Sequence, residues 1–274
     1  MKTWMLSAGV AFAALAMTAT ASVAQTVVQE EDTVRQAENT PPANNWVIFT
    51  RAGTPPTAAA FVTGPATTPL GVGSLQLTTT TGAEKVFAFN FDHIGTKLSD
   101  LGELSYSTYR SAGSFQQVAA LNLVIDFNGP DVAGGFSTLV FEPVYNTDQG
   151  AVVSGEWQDW IASGSGVWWS TRAINGQCAG ATSTCDKTWS EILANNPDAV
   201  VLGGFGVNQG SGNPGLVTAV DALKIAGVTY DFEPTITPQS KDDCKNGGFQ
   251  NSNRPTFDNQ GQCVSFVNGR GKNK

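Results

Sequence analysis

The chain has 274 residues, a formal net charge of −8, 14 % charged and 41 % hydrophobic residues, and 30 glycines. The acidic balance repels phosphate backbones and excludes nucleic acid as a natural partner. The apolar content excludes general disorder, and the low charge with abundant glycine points to an exported, turn-rich β protein.

The N-terminus opens on Met1-Lys2-Thr3, runs apolar from Trp4 to about Met17, and closes on Ser22-Val23-Ala24. A basic start, an apolar stretch and a small-x-Ala site predict a signal peptide over residues 1–24, cleaved after Ala24. The apolar run is shorter than the ~20 residues a spanning helix needs. The expectation is therefore secretion, to the medium, cell surface or periplasm, with no membrane span after cleavage. Residues 25–45 are acidic, proline-punctuated and without apolar period, and read as a linker.

From Trp46 the pattern changes. Short apolar runs alternate with Gly, Pro and Asn clusters at Trp46–Phe49, Gly73–Thr78, Lys85–Phe91, Leu104–Tyr109, Ala119–Phe127, Ser137–Glu142, Gly155–Trp160, Val167–Thr171, Ala199–Gly203 and Ala222–Ala226. In Val86-Phe-Ala-Phe-Asn-Phe91, Val86, Ala88 and Asn90 share one face and the three phenylalanines share the other. Period-two runs of this kind mean antiparallel strands. Residues 46–236 are thus expected to form an all-β, antiparallel, two-sheet jelly-roll sandwich. One short helix interrupts it: Thr188-Trp-Ser-Glu191 is a capping box, and Asn195-Asn196-Pro197 ends the helix.

The four cysteines fall into local pairs, Cys178/Cys185 and Cys244/Cys263. In an exported protein an even count reads as disulfides, and a zinc site finds neither a C-x-x-C nor more than one histidine. Residues 237–274 form a small disulfide-closed tail. Between Lys241 and Lys274 it holds 6 basic and 3 acidic residues, opposite in sign to the body.

Four of the seven tryptophans fall between Trp157 and Trp169. Aromatic faces edged by carboxylate and guanidinium suit a ligand with an apolar face and many hydroxyls, such as a sugar ring. Trp157, Asp159, Trp160, Trp168, Trp169 and Arg172 are the candidate ligand-binding residues. Strand alternation sends Trp168 and Trp169 to opposite faces, and Trp157 and Trp160 likewise, so about half of the cluster is left for a ligand. His93, the single histidine, has no G-x-S-x-G to serve, and no catalytic residue is assigned. Glu142, Glu156 and Asp159 are the carboxylates nearest the aromatic segment. Asp126, Asn128 and Asp131 in Asp-Phe-Asn-Gly-Pro-Asp131 have oxygen ligands at a spacing that can hold Ca²⁺. Plain Asn-Gly turn chemistry is the weightier reading there, and no cofactor is required.

Two stretches carry a resemblance. Phe61-Val-Thr-Gly-Pro-Ala-Thr-Thr-Pro-Leu-Gly-Val-Gly-Ser-Leu75, Leu98-Ser-Asp-Leu101, Tyr106-Ser-Thr-Tyr109, Val220-Asp-Ala-Leu-Lys-Ile225 and Tyr230-Asp-Phe-Glu233 resemble exported bacterial jelly-roll modules of the carbohydrate-binding and lectin-like kind. The resemblance implies a non-catalytic sandwich, sometimes with a structural Ca²⁺. Asp243-Cys-Lys-Asn-Gly-Gly-Phe249 and Phe257-Asp-Asn-Gln-Gly-Gln-Cys-Val-Ser-Phe266 are similar to a short C-terminal element of exported bacterial proteins, with Phe249 where that element usually has Trp. The expected function is recognition of carbohydrate or cell-surface glycan by stacking. A structural surface protein without a small ligand is the first rival, and a glycan hydrolase or lyase using paired carboxylates the second.

Overall fold

A computed structural model describes residues 24–113 and 116–270, and the signal-peptide expectation falls outside it except at Ala24. Among the described residues there are fifteen strands and two α-helices. The first strands are β1 (Ala24–Val28), β2 (Thr33–Ala37), β3 (Trp46–Thr50), β4 (Ala59–Thr63), β5 (Gly73–Thr79) and β6 (Val86–Asn90). β7 (Ser105–Ala112), β8 (Ala120–Asp126), β9 (Phe136–Phe141), β10 (Trp157–Ile161) and β11 (Val167–Ser170) follow. The chain continues through β12 (Lys187–Thr188), α1 (Trp189–Asn195), β13 (Val200–Gln209), β14 (Leu216–Ile225), β15 (Val228–Phe232) and α2 (Gln260–Arg270).

The strands form two sheets. The eight-stranded sheet runs β12-β11-β9-β8-β13-β6-β3-β2. The seven-stranded sheet is organised around β14. One edge of β14 pairs with β7, which carries β10 beyond it; the other edge pairs first with β5 and then with β15. The expected two-sheet all-β architecture is present, but the all-antiparallel pairing expected from the sequence is corrected here to two mixed sheets. The segment read as a linker supplies the parallel strands: β1 lies parallel to β15 in one sheet and β2 parallel to β3 in the other. Its polar sequence hid them because both are edge strands, open to water along one side and with most side chains exposed or half-exposed.

Alternation within each strand fills the space between the sheets. Trp46 of β3 meets Tyr230 and Phe232 of β15 edge-on at 5.1 and 5.4 Å, and Tyr106 of β7 meets Phe141 of β9 at 6.2 Å. Trp160, Trp168, Phe205 and Leu223 are fully buried in the same core. Each large side chain removed from water contributes roughly 1.5–3 kcal/mol. The helix α1 forms as its capping box predicts: the Thr188 hydroxyl accepts from the Glu191 amide, the Glu191 carboxylate accepts from the Thr188 amide, and Trp189 and Ile192 are buried.

Both disulfides form as paired in the sequence, Cys178–Cys185 and Cys244–Cys263, and such bonds belong to an oxidising compartment. Among the described residues no helix is long and apolar enough to cross a membrane. The tail docks through the loop before α2. The Asn253 side chain accepts from the Ile236 amide at 2.8 Å and donates to the Pro234 carbonyl at 2.8 Å. Arg254 reaches Asp32 at 2.9 Å and Gln29 at 3.3 Å, tying the tail to the N-terminal segment.

The 244–263 disulfide closes a loop whose opening frees about 3 kcal/mol of chain entropy. Replacing Cys244 and Cys263 by Ser should therefore give the tail its own early melting step, read as fast amide exchange over residues 241–270 at temperatures where the sandwich stays protected. Unchanged exchange in the tail would show that docking at Asn253 and Arg254 suffices.

Candidate binding face

The outer face of the seven-stranded sheet is built by β7 and β10. Their register pairs Trp157 with Tyr109, Asp159 with Ser107 and Ile161 with Ser105. Trp160 between them points inward and is fully buried, so Trp157, Asp159 and Ile161 face out. The Trp157 and Tyr109 rings lie 5.7 Å apart, both half-buried, and the Trp157 indole donates to the Pro65 carbonyl at 2.8 Å. That bond holds the indole in place and leaves ring surface open.

Along the same ladder the aromatic pair runs into a groove of about 360 Å³ whose lining includes Glu103, Ser105, Ser107, Asp159, Ile161 and Lys224. Ser107 donates to Asp159 at 2.5 Å, Ser105 to Glu103 at 3.1 Å, and Lys224 pairs with Glu103 at 3.2 Å. The β14 register slips between Asp221 and Lys224, and Ala222 takes a positive φ of 52° there. This bulge leaves Lys224 beside Ser105 rather than one residue out of step, because an extra residue in one strand re-aims the side chains beyond it. The face thus holds two aromatic rings and a row of donors and acceptors, the combination that positions hydroxylated rings.

Of the six residues proposed from sequence, only Trp157 and Asp159 share this face. Trp160 and Trp168 are corrected: both are fully buried, with their indoles spent on Thr108 Oγ1 at 2.8 Å and the Ala162 carbonyl at 2.6 Å. Trp169 faces out on the other sheet, half-buried, donating to Glu142 Oε2 at 3.0 Å. Burial raises the Glu142 carboxyl above its ordinary range, against the pull of that bond, with Asp186 adding to the rise. Arg172 is exposed and lies over the Phe136 ring at 4.7 Å. Tyr109, Ser105, Ser107 and Lys224 were not proposed. The alternation Ser105-Tyr-Ser-Thr-Tyr109 already put two serines and a tyrosine on one side, but the bulge that brings Lys224 to them has no signal in sequence.

The Asp126 loop is a turn. Asp126 Oδ1 accepts from the Asn128 amide at 3.0 Å, and the Phe127 amide donates to the Gly135 carbonyl at 2.8 Å. Asp131 is exposed, and among the described residues no group of three or more His, Cys, Asp or Glu side chains converges. His93 is likewise structural, its Nε2 3.1 Å from the Tyr230 hydroxyl, with burial pushing its pKa down.

Beneath the 64–73 loop, the carboxyl groups of Asp221, Asp231 and Glu233 are buried with no ion pair among the described residues. Asp221 accepts from the Leu70 and Phe232 amides, Glu233 from the Val72 and Gly73 amides, and Asp231 from the Gln25 side chain. Asp231 Oδ1 has no donor among the described residues, and the neighbouring Glu233 carboxyl is placed to share a proton with it. Burial pushes Asp221 up to about 7 and Asp231 to about 6, Glu233 adding to the latter. Gly71 is required here: a Cβ would fall 1.7 Å from Glu233 Oε1.

Known protein families, curated proteins and solved structures were all compared with this chain, and none matches it.

A carboxyl raised in the folded state stabilises below its unfolded pKa and loses that contribution as pH climbs to the folded value. Asp231→Asn can donate to Glu233 without titrating. Its melting temperature should rise relative to the parent between about pH 4 and pH 6, with the difference level above that. A difference that is flat from pH 4 to 6, or that falls, would contradict the shared proton.

Proposed function

We propose that the protein is an exported, non-catalytic module that binds carbohydrate or cell-surface glycan on the outer face of the seven-stranded sheet. The carrying observation is the register that sets Trp157 beside Tyr109 and continues them into the groove of Ser105, Ser107, Asp159, Glu103 and Lys224. A sugar's apolar ring face stacks on the aromatic pair, and its hydroxyls meet acceptors at Asp159 and Glu103, which the Ser107 and Ser105 hydroxyls hold in place, and a donor at Lys224. Export rests on the residue 1–24 leader and agrees with the two disulfides. The relationship to jelly-roll carbohydrate-binding modules belongs to the same proposal, with the parallel edge strands as this chain's departure from their pattern.

One observation favours a second reading, glycan cleavage: Glu103 and Asp159 line the same groove, and paired carboxylates across a groove are what glycoside hydrolysis uses. Both are anchored by hydrogen bonds to serines of β7, which suits fixed recognition of hydroxyls.

A glycan array followed by titration of the best oligosaccharide tests both. Trp157→Ala and Asp159→Ala should each weaken binding by about tenfold, the scale of one stacking contact or one charged hydrogen bond, while Trp169→Ala keeps it. Because Asp159 is exposed, its loss cannot be put down to unfolding. The oligosaccharide should be recovered intact after incubation; shortened products would establish the cleavage reading instead. Binding that survives both β10 substitutions would remove the site.

A further inference from the structure

The outer face of the eight-stranded sheet is apolar where a solvated sheet is ordinarily polar. Inward, β6 sends Val86 and Ala88 to the core; outward it sends Phe87 and Phe89, and Phe91 follows at its end. With Val34, Val47, Phe49 and Val124 these form a second apolar cluster separate from the core. Phe49, Phe87, Phe89, Phe91 and Val124 line a groove of about 340 Å³, within the range of small-molecule sites, which continues past Gly203 and Gly204 to Phe136. Phe136 is 40 % exposed.

The groove is shaped by missing side chains. A Cβ on Gly204 would lie 2.5 Å from the Phe89 ring, and one on Gly203 would lie 3.0 Å from Val124. The two glycines sit in the irregular stretch of β13 between Val201 and Phe205. Their bare backbone lets the Phe89 ring lie across the strand and keeps the channel continuous. From β3 to β9 it crosses four strand spacings, roughly 19 Å in all.

Two cations lie over rings that line it, opposite in sign to the acidic chain. Lys85 Nζ sits 4.4 Å above Phe87, and Arg172 lies 4.7 Å over Phe136. Glu38, the one carboxylate lining the groove, is already paired with Arg51 at 3.1 Å. Asp126, in register with Phe136, is held by the Asn128 amide. Arg172 makes no ion pair or side-chain hydrogen bond among the described residues, so its guanidinium edge is open.

We propose that this groove is a second binding site, for a long-chain carboxylate. The acyl chain lies along Phe49, Phe87, Phe89, Phe91 and Val124, and the carboxylate takes the two-pronged hydrogen bond that a guanidinium offers. Stacking on Phe136 presents Arg172 for that bond. The long axis matches an extended acyl chain, and the polar groups are confined to the rim.

Calorimetric titration of the full-length mature protein with decanoate, and with decanol as the uncharged chain, tests the proposal. Decanoate should bind one to one. Arg172→Ala should weaken it by about tenfold or more and leave decanol binding unchanged; Phe136→Ala should weaken both. The two side chains are exposed, so the melting temperature should hold in each variant. No decanoate binding, or binding indifferent to both substitutions, would overturn the proposal. So would a dimer in solution that Phe136→Asp dissolves, which would assign the face to a second copy of the chain.

Discussion

The pleat of a β-strand, which sends neighbouring side chains to opposite faces, governs everything the two sheets do. It divides each aromatic run into a half that holds the sheets together and a half that meets solvent. In β10 it buries Trp160 and presents Trp157; in β11 it buries Trp168 and presents Trp169. In β6 it gives the core Val86 and Ala88 and commits Phe87 and Phe89 to the outer face, where Phe91 follows them. Core and solvent-facing surfaces are therefore written in the same strands, one position apart.

This has an energetic consequence. The buried tryptophans are fixed by packing and by indole hydrogen bonds to Thr108 and Ala162, so they set the β10 and β11 registers. A one-residue slip would move those indoles into water and the outer row into the core. Trp157 and Asp159 are thus placed by Trp160, which is fully buried. Preorganisation of this kind limits the side-chain ordering that binding would otherwise cost.

Much of the fold could be read from sequence: the strand-forming runs, the α1 cap from Thr188 to Glu191, and both cysteine pairs. Each rests on local chemistry, either alternation, a capping pattern or proximity along the chain. What escaped reading was non-local. The polar segment 25–45 becomes two edge strands because partners far along the chain, β15 and β3, offer open backbone groups. Of the proposed site, Trp157 and Asp159 were recoverable and their β7 partners were not, since register across strands has no sequence signature. The tryptophan cluster looked like one feature because it is contiguous in the chain. In space it is divided between two sheets and two faces.

The most direct test of the central claim is an NMR titration of the indole Nε1–H resonances with an oligosaccharide that the protein binds. The account predicts that the Trp157 signal moves together with amides of β7 and β10, while the Trp160 and Trp168 signals stay fixed. A still Trp157 with movement at Trp169, or movement confined to the phenylalanine groove, would place glycan recognition on the other sheet and contradict it.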